Sequence, residues 1–120
     1  MWSLLLPLLL IPLDSWLVYK EPEPQPIMTG IASWYDYSLP KYKNGKNRSK
    51  THDTCALRIY ERYKKYKVCS KVTWKCVVCY HNDYGPARQD RIIDLSSHAF
   101  KELWVPLSRW LTEVEIYSIE

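Results

Sequence analysis

Residues 76–100 read CVVCYHNDYGPARQDRIIDLSSHAF, and the remainder of the chain can be placed around them. Val77, Val78, Cys79 and Tyr80 are β-branched, aromatic or small apolar residues, the types that fit a pleated surface. The Asp83-Tyr84-Gly85-Pro86 that follows ends the ladder, because Pro86 has no N–H and Gly85 permits a turn. Asp83 is therefore expected at a strand end. Arg91–Leu95 is a second short run, charged at Arg91 and Asp94 and apolar between them. After it, the hydroxyls of Ser96 and Ser97 can cap a helix through His98, Ala99, Phe100 and Leu103. Two carboxylates, Asp83 and Asp94, thus flank one turn.

Working outward, Ile31–Tyr37 alternates, with Ile31, Ser33 and Tyr35 on one face and Ala32 and Trp34 on the other. Leu39–Lys50 carries Pro40 and Asn44-Gly45 and reads as a loop. Tyr63–Cys69 predicts a strand with Lys65 and Lys67 facing out between Tyr66 and Val68, and Ser70–Lys75 connects it to the strand at Cys76 as a hairpin. Val105–Arg109, with Pro106, is a turn, and Leu111–Ile119 alternates as a last strand. Many short strands with one or two short helices predict a mainly β chain closed into a small barrel.

His81-Asn82-Asp83-Tyr84-Gly85-Pro86, then Arg91-Ile92-Ile93-Asp94-Leu95-Ser96 with Ala99 in step, resembles the motif of the rare lipoprotein A family of double-psi β-barrels. Gly30-Ile31-Ala32-Ser33-Trp34-Tyr35 is similar to that family's opening motif, and Val114-Glu115-Ile116 to its closing strand. Three ordered motifs span most of residues 27–120. The resemblance implies a six-stranded double-psi barrel, more distantly like expansin and barwin domains, and peptidoglycan lytic transglycosylase activity. His52–Leu57 matches the family's T-A-A-H region imperfectly: Thr54 and Ala56 fit, but Leu57 stands in place of the histidine. The cysteine that carries the family's lipid is missing, since the first cysteine is Cys55.

With 120 residues the chain has room for one domain, and 47% hydrophobic content excludes disorder over most of it. Residues 1–20 are strongly apolar and suit a secretory signal or uncleaved signal anchor, although Pro7, Pro12 and Asp14 interrupt a membrane helix. Residues 21–26 alternate proline with Glu or Gln, an extended linker composition. The expectation is an exported chain, periplasmic or at the cell surface, held to the membrane by its N-terminal segment, with a monomeric domain over 27–120. Removing residues 1–26 takes away one lysine and three acids, so net charge rises from +4 to +6. The basic residues gather in Lys41–Lys50 and Arg58–Lys71. Such a face attracts polyanions. For an exported chain these are cell-wall polymer or lipid headgroups, so no nucleic-acid partner is expected. Charge that merely keeps the domain soluble explains the same residues.

The four cysteines, Cys55, Cys69, Cys76 and Cys79, predict two disulfides in an exported domain. Cys69 and Cys76 close the hairpin connection, which leaves Cys55 with Cys79. The alternative is a zinc site on the same four cysteines, or on three of them with His81, since Cys76 and Cys79 have ligand spacing; but residues three apart on a strand point to opposite faces, so no metal is expected.

The activity implied by the resemblance uses the muramic acid 6-hydroxyl as internal nucleophile, so one acid/base group suffices and no cofactor is called for. Asp83 is the first candidate, since a carboxyl at a strand end in an aromatic groove has its pKa raised by desolvation. Asp94 could raise it further, or could instead cap the helix or pair with Arg91. Asp83 could equally be a turn-forming residue. His81, two residues from Asp83 and on its face in a regular strand, and His52, near the missing histidine, are further catalytic candidates. Trp34, Tyr35 and Tyr84 are candidate sugar platforms or core residues, with Asn82 and Arg91 as polar substrate contacts. Two other readings use the same residues: a cell-wall polysaccharide-binding or wall-loosening module without turnover, and a basic secreted interaction protein acting through its lysine-rich face.

Overall fold

The computed structural model describes residues 22–36 and 49–119. The apolar segment 1–20 and most of the loop 39–50 lie outside the described residues. Among those described, no helix is long and apolar enough to cross a membrane. Residues 22–26 have no regular structure and lead into the first strand.

The strands are β1 (Met28–Tyr35), β2 (Thr54–Leu57), β3 (Lys65–Ser70), β4 (Cys76–Tyr84), β5 (Ile93–Ser96) and β6 (Leu111–Ser118), with one helix, α1 (Ser97–Glu102), and a 3-10 turn at Leu107–Arg109. They close into a barrel in the order β1-β5-β2-β4-β3-β6, which leaves no unpaired edge. The β1/β5 and β2/β4 pairs are parallel, while the β3/β4 hairpin and the β6 ladders are antiparallel. This is the mainly β, closed six-stranded barrel expected from the sequence.

Alternation builds the core. Tyr66 and Val68 of β3, Val77 and Cys79 of β4, and Thr112, Val114 and Ile116 of β6 point inward, while Lys65, Val78, Tyr80, Leu111 and Glu113 point out. Leu57, Ile93, Leu95, Phe100 and Leu103 complete a continuous apolar cluster. Each such side chain contributes about 1.5–3 kcal/mol on leaving water. β2 escapes a pattern-based reading because all four of its residues are buried and no alternation survives. Helix α1 starts as anticipated: Ser96 is the N-cap and its hydroxyl accepts from the Ala99 N–H. Asp94 is therefore not the cap.

Gly30 is required by a close approach. A Cβ there would lie 2.8 Å from Ile92 Cγ2, so the β1 backbone meets a side chain arriving at β5.

Cys69 and Cys76 are cross-strand partners and form the expected disulfide. The second expected bond is not present. Cys55 and Cys79 are thiols lying side by side in the interior with their sulfurs 3.0 Å apart, Cys79 donating to Cys55. Burial, reinforced by Cys79, pushes the Cys55 thiol well up, so it holds its proton. Cys76 is exposed and Cys79 buried, on opposite faces as strand geometry requires.

Candidate active site

Along β4, regular alternation carries Val77, Cys79 and His81 inward. The register against β2 then slips: Cys55 opposes His81, but Ala56 opposes Asp83. Asn82 is the additional residue of a bulge, and it breaks the alternation that would put Asp83 on the face of His81. His81 therefore lies wholly inside the barrel, with its Nε2 against the Ile59 carbonyl at 3.0 Å and its ring edge-on to Tyr66. The expectation that His81 and Asp83 share a face is corrected by this bulge, and His81 is an interior residue.

Ala56 sits between two strands that each bring a carboxylate. It pairs with Asp83 of β4 on one side and with Asp94 of β5 on the other. With neighbouring strands about 4.8 Å apart, the two Asp backbones are separated by roughly 10 Å. Between them the floor is made of small groups: a Cβ placed at Gly85 would lie 3.6 Å from the Ala56 methyl. Asp83 Oδ1 accepts from the Tyr84 N–H at 2.8 Å. Asp94 Oδ1 accepts from the Ser33 hydroxyl at 3.2 Å, across the parallel β1/β5 pair.

Burial raises the Asp94 carboxyl, the charge of Asp83 adds to this, and the Ser33 hydroxyl and Arg91 guanidinium partly oppose it. Burial thus acts on Asp94, to which the sequence reading gave a place behind Asp83. Two half-buried residues at this place carry buried polar atoms without a protein partner, Asn82 Oδ1 and Arg91 Nε.

The loop after Asp83 is held by a residue that sequence reasoning passed over. The Arg58 guanidinium donates to the carbonyls of Pro86 (2.7 Å), Arg88 (3.2 Å) and Arg91 (2.7 Å). Three carbonyls converging on one cation fix the path from the cis Gly85–Pro86 bond to β5. Nothing local in the sequence marks Arg58, because its partners lie about thirty residues downstream.

The other candidates separate. His52 precedes β2, four residues from Ala56, and its Nδ1 contacts the Thr51 hydroxyl; at about 3.3 Å per strand residue this puts it at the far end of β2 from Asp83. Leu57 is wholly buried in the core. Tyr35 is 5% exposed and its hydroxyl bonds Thr54 Oγ1, so it is not a sugar platform. Trp34 turns away from Asp94, packs on the core and donates to the Leu107 carbonyl. Its free face is taken by Trp110, stacked at 4.6 Å with a 9° interplanar angle. Tyr84 remains available, at 50% exposure. The structure thus gathers Asp83, Asp94, Asn82, Tyr84 and Arg91, adds Ser33 and Arg58, and removes His81, His52, Trp34 and Tyr35.

No family model and no curated protein matches the sequence. Among solved structures, the chain is similar to Streptomyces papain inhibitor, with a TM-score of 0.59 and 18% identity over 82% of this chain and 100% of that one. At that identity the likeness concerns the fold.

Proposed function

We propose that this chain is an exported lytic transglycosylase of cell-wall glycan, with Asp94 as the group that carries the proton. The observation that carries the reading is the pairing of a partly buried Asp94, whose pKa burial raises, with Asp83 across the small-residue floor of Ala56 and Gly85. The resemblance of residues 81–99 to the rare lipoprotein A motif supports the substrate class: strands of alternating N-acetylmuramic acid and N-acetylglucosamine.

In this reading the Asp94 carboxyl gives its proton to the glycosidic oxygen as the bond to the muramic C1 breaks, leaving N-acetylglucosamine with a free 4-hydroxyl. Positive charge grows on C1 and the ring oxygen, and the Asp83 carboxylate on the opposite wall stabilises it. The Asp94 carboxylate then takes the proton of the muramic 6-hydroxyl as that oxygen bonds to C1, giving a 1,6-anhydro ring and restoring the acid. No water enters the balance. Tyr84 offers an exposed ring for a sugar face and Arg91 a cation for an anionic substituent.

A second reading, a wall-binding module without turnover, is favoured by Leu57, whose side chain fills the core at the position where the family motif has histidine. A protein named as a papain inhibitor on a similar fold makes binding without turnover a natural use of such a barrel.

The experiment is mass spectrometry of soluble products after the full oxidised chain meets purified peptidoglycan, beside Asp94→Asn. Anhydro-muropeptides from the parent alone support the enzyme. Sedimentation of both proteins with the glycan and no products from either selects the binding module.

A further inference from the structure

At the opposite end of β2 from Asp83, three metal-type donors converge: Asp53, His98 and Glu102. His98 Nδ1 lies 2.6 Å from Asp53 Oδ1 and 3.3 Å from Glu102 Oε1, and the three ligand atoms all lie within 4.8 Å of one another. We propose that these side chains bind a divalent cation of borderline softness, represented by Zn²⁺, through one imidazole nitrogen and two carboxylate oxygens, with water completing the shell.

The spacing suits the ion. With bonds of about 2.0–2.1 Å to nitrogen and oxygen, tetrahedral ligands sit roughly 3.4 Å apart, so small side-chain movements bring these donors onto one centre. The donor set is mixed, which suits zinc better than the all-oxygen ions.

The frame is rigid, because the two segments that supply the ligands are bound to each other independently of them. The His98 N–H and the Ser97 hydroxyl both donate to the Ser49 carbonyl, at 3.0 and 3.1 Å. The Ser96 hydroxyl donates to the His52 carbonyl at 2.7 Å and accepts from the Thr54 N–H. Asp53 is thereby locked beside α1, and His98 and Glu102 share one helix face four residues apart.

Protons account poorly for the arrangement. The donor oxygens of Asp53 and Glu102 lie within 4.8 Å of each other as well as of the His98 nitrogen. A single N–H at Nδ1 can point well at only one of its two carboxylate contacts, at 2.6 and 3.3 Å.

The test titrates the full chain, with Cys69–Cys76 oxidised, first with Zn²⁺ by calorimetry and then with Co²⁺ by absorption. The expected result is one saturable site per chain that weakens as pH falls, since protons compete for the same atoms. Glu102→Gln should weaken it about tenfold or more and His98→Ala should abolish it, while His52→Ala leaves it intact. The Co²⁺ spectrum should lack a thiolate charge-transfer band. Absence of saturable binding overturns the proposal. So does binding that survives His98→Ala in a variant with a normal thermal transition, or binding that shows thiolate absorption.

Discussion

Ala56 holds Asp83 and Asp94 on either side of it, each as a direct cross-strand partner. That relationship exists because of the bulge at Asn82. Without it Asp83 would turn inward with His81, and Asn82 would stand opposite Ala56. The barrel therefore uses one irregular residue to bring a second carboxylate beside Ala56.

Asp94 is a group whose titration opposes folding at neutral pH. Its folded pKa is raised, so its contribution to stability is fully present below the unfolded value and is lost as pH rises through the folded one. Asp94→Asn keeps the Ser33 contact and removes that loss. Melting temperature against pH should rise toward neutrality relative to the parent, with the two proteins alike near pH 3. Parallel curves would show that Asp94 is not desolvated.

Arg58→Lys replaces a three-carbonyl fork by a single ammonium. We expect a loss of about 2 kcal/mol, the scale of a charged hydrogen bond in a half-buried place. Amide exchange in residues 85–92 should accelerate while β3 and β6 keep their protection. Uniform acceleration across the barrel would mean that Arg58 supports the whole fold and not the loop.

Gly30→Ala forces a methyl against Ile92 Cγ2. Overpacking of this kind costs about 1–3 kcal/mol. The double variant with Ile92→Ala should lose less stability than the two single losses added together. Strict additivity in a double-mutant cycle would place the strain elsewhere.

Thiol counting separates the cysteines. Non-reducing peptide mapping should find Cys69 linked to Cys76, and alkylation should label Cys55 and Cys79 only after denaturation, because both are wholly buried. A chain with no alkylatable thiol after denaturation would carry both bonds and would contradict the description given above.

Much of this was legible in the sequence, and the exceptions share a cause. The run from Cys76 to Ser96 gave a strand, a stop at Gly85-Pro86 and a second strand, since turn chemistry and β-propensity are local. The capped start of α1 at Ser96 was legible for the same reason. The bulge at Asn82 was not, because it is set by pairing with β2, a strand too short and too buried to show alternation. Nor was the Trp34–Trp110 stack, made by residues at opposite ends of the domain, with Trp110 at φ 63°. Sequence reasoning gave Asp83 the leading role because strand ends stand out. The desolvation of Asp94 follows from its place between Ser33 and Ala56, which only the closed barrel creates.

The most direct test of the central claim is a carbon-detected NMR titration of the Asp94 carboxyl in the full chain labelled at aspartate. The account predicts a midpoint above the ordinary value of 3.8. It also predicts a downward move in Asp83→Asn, where a like charge is removed, and an upward move in Ser33→Ala, where the bond to the ionised form is lost. A midpoint at or below the ordinary value, insensitive to Asp83, would contradict it.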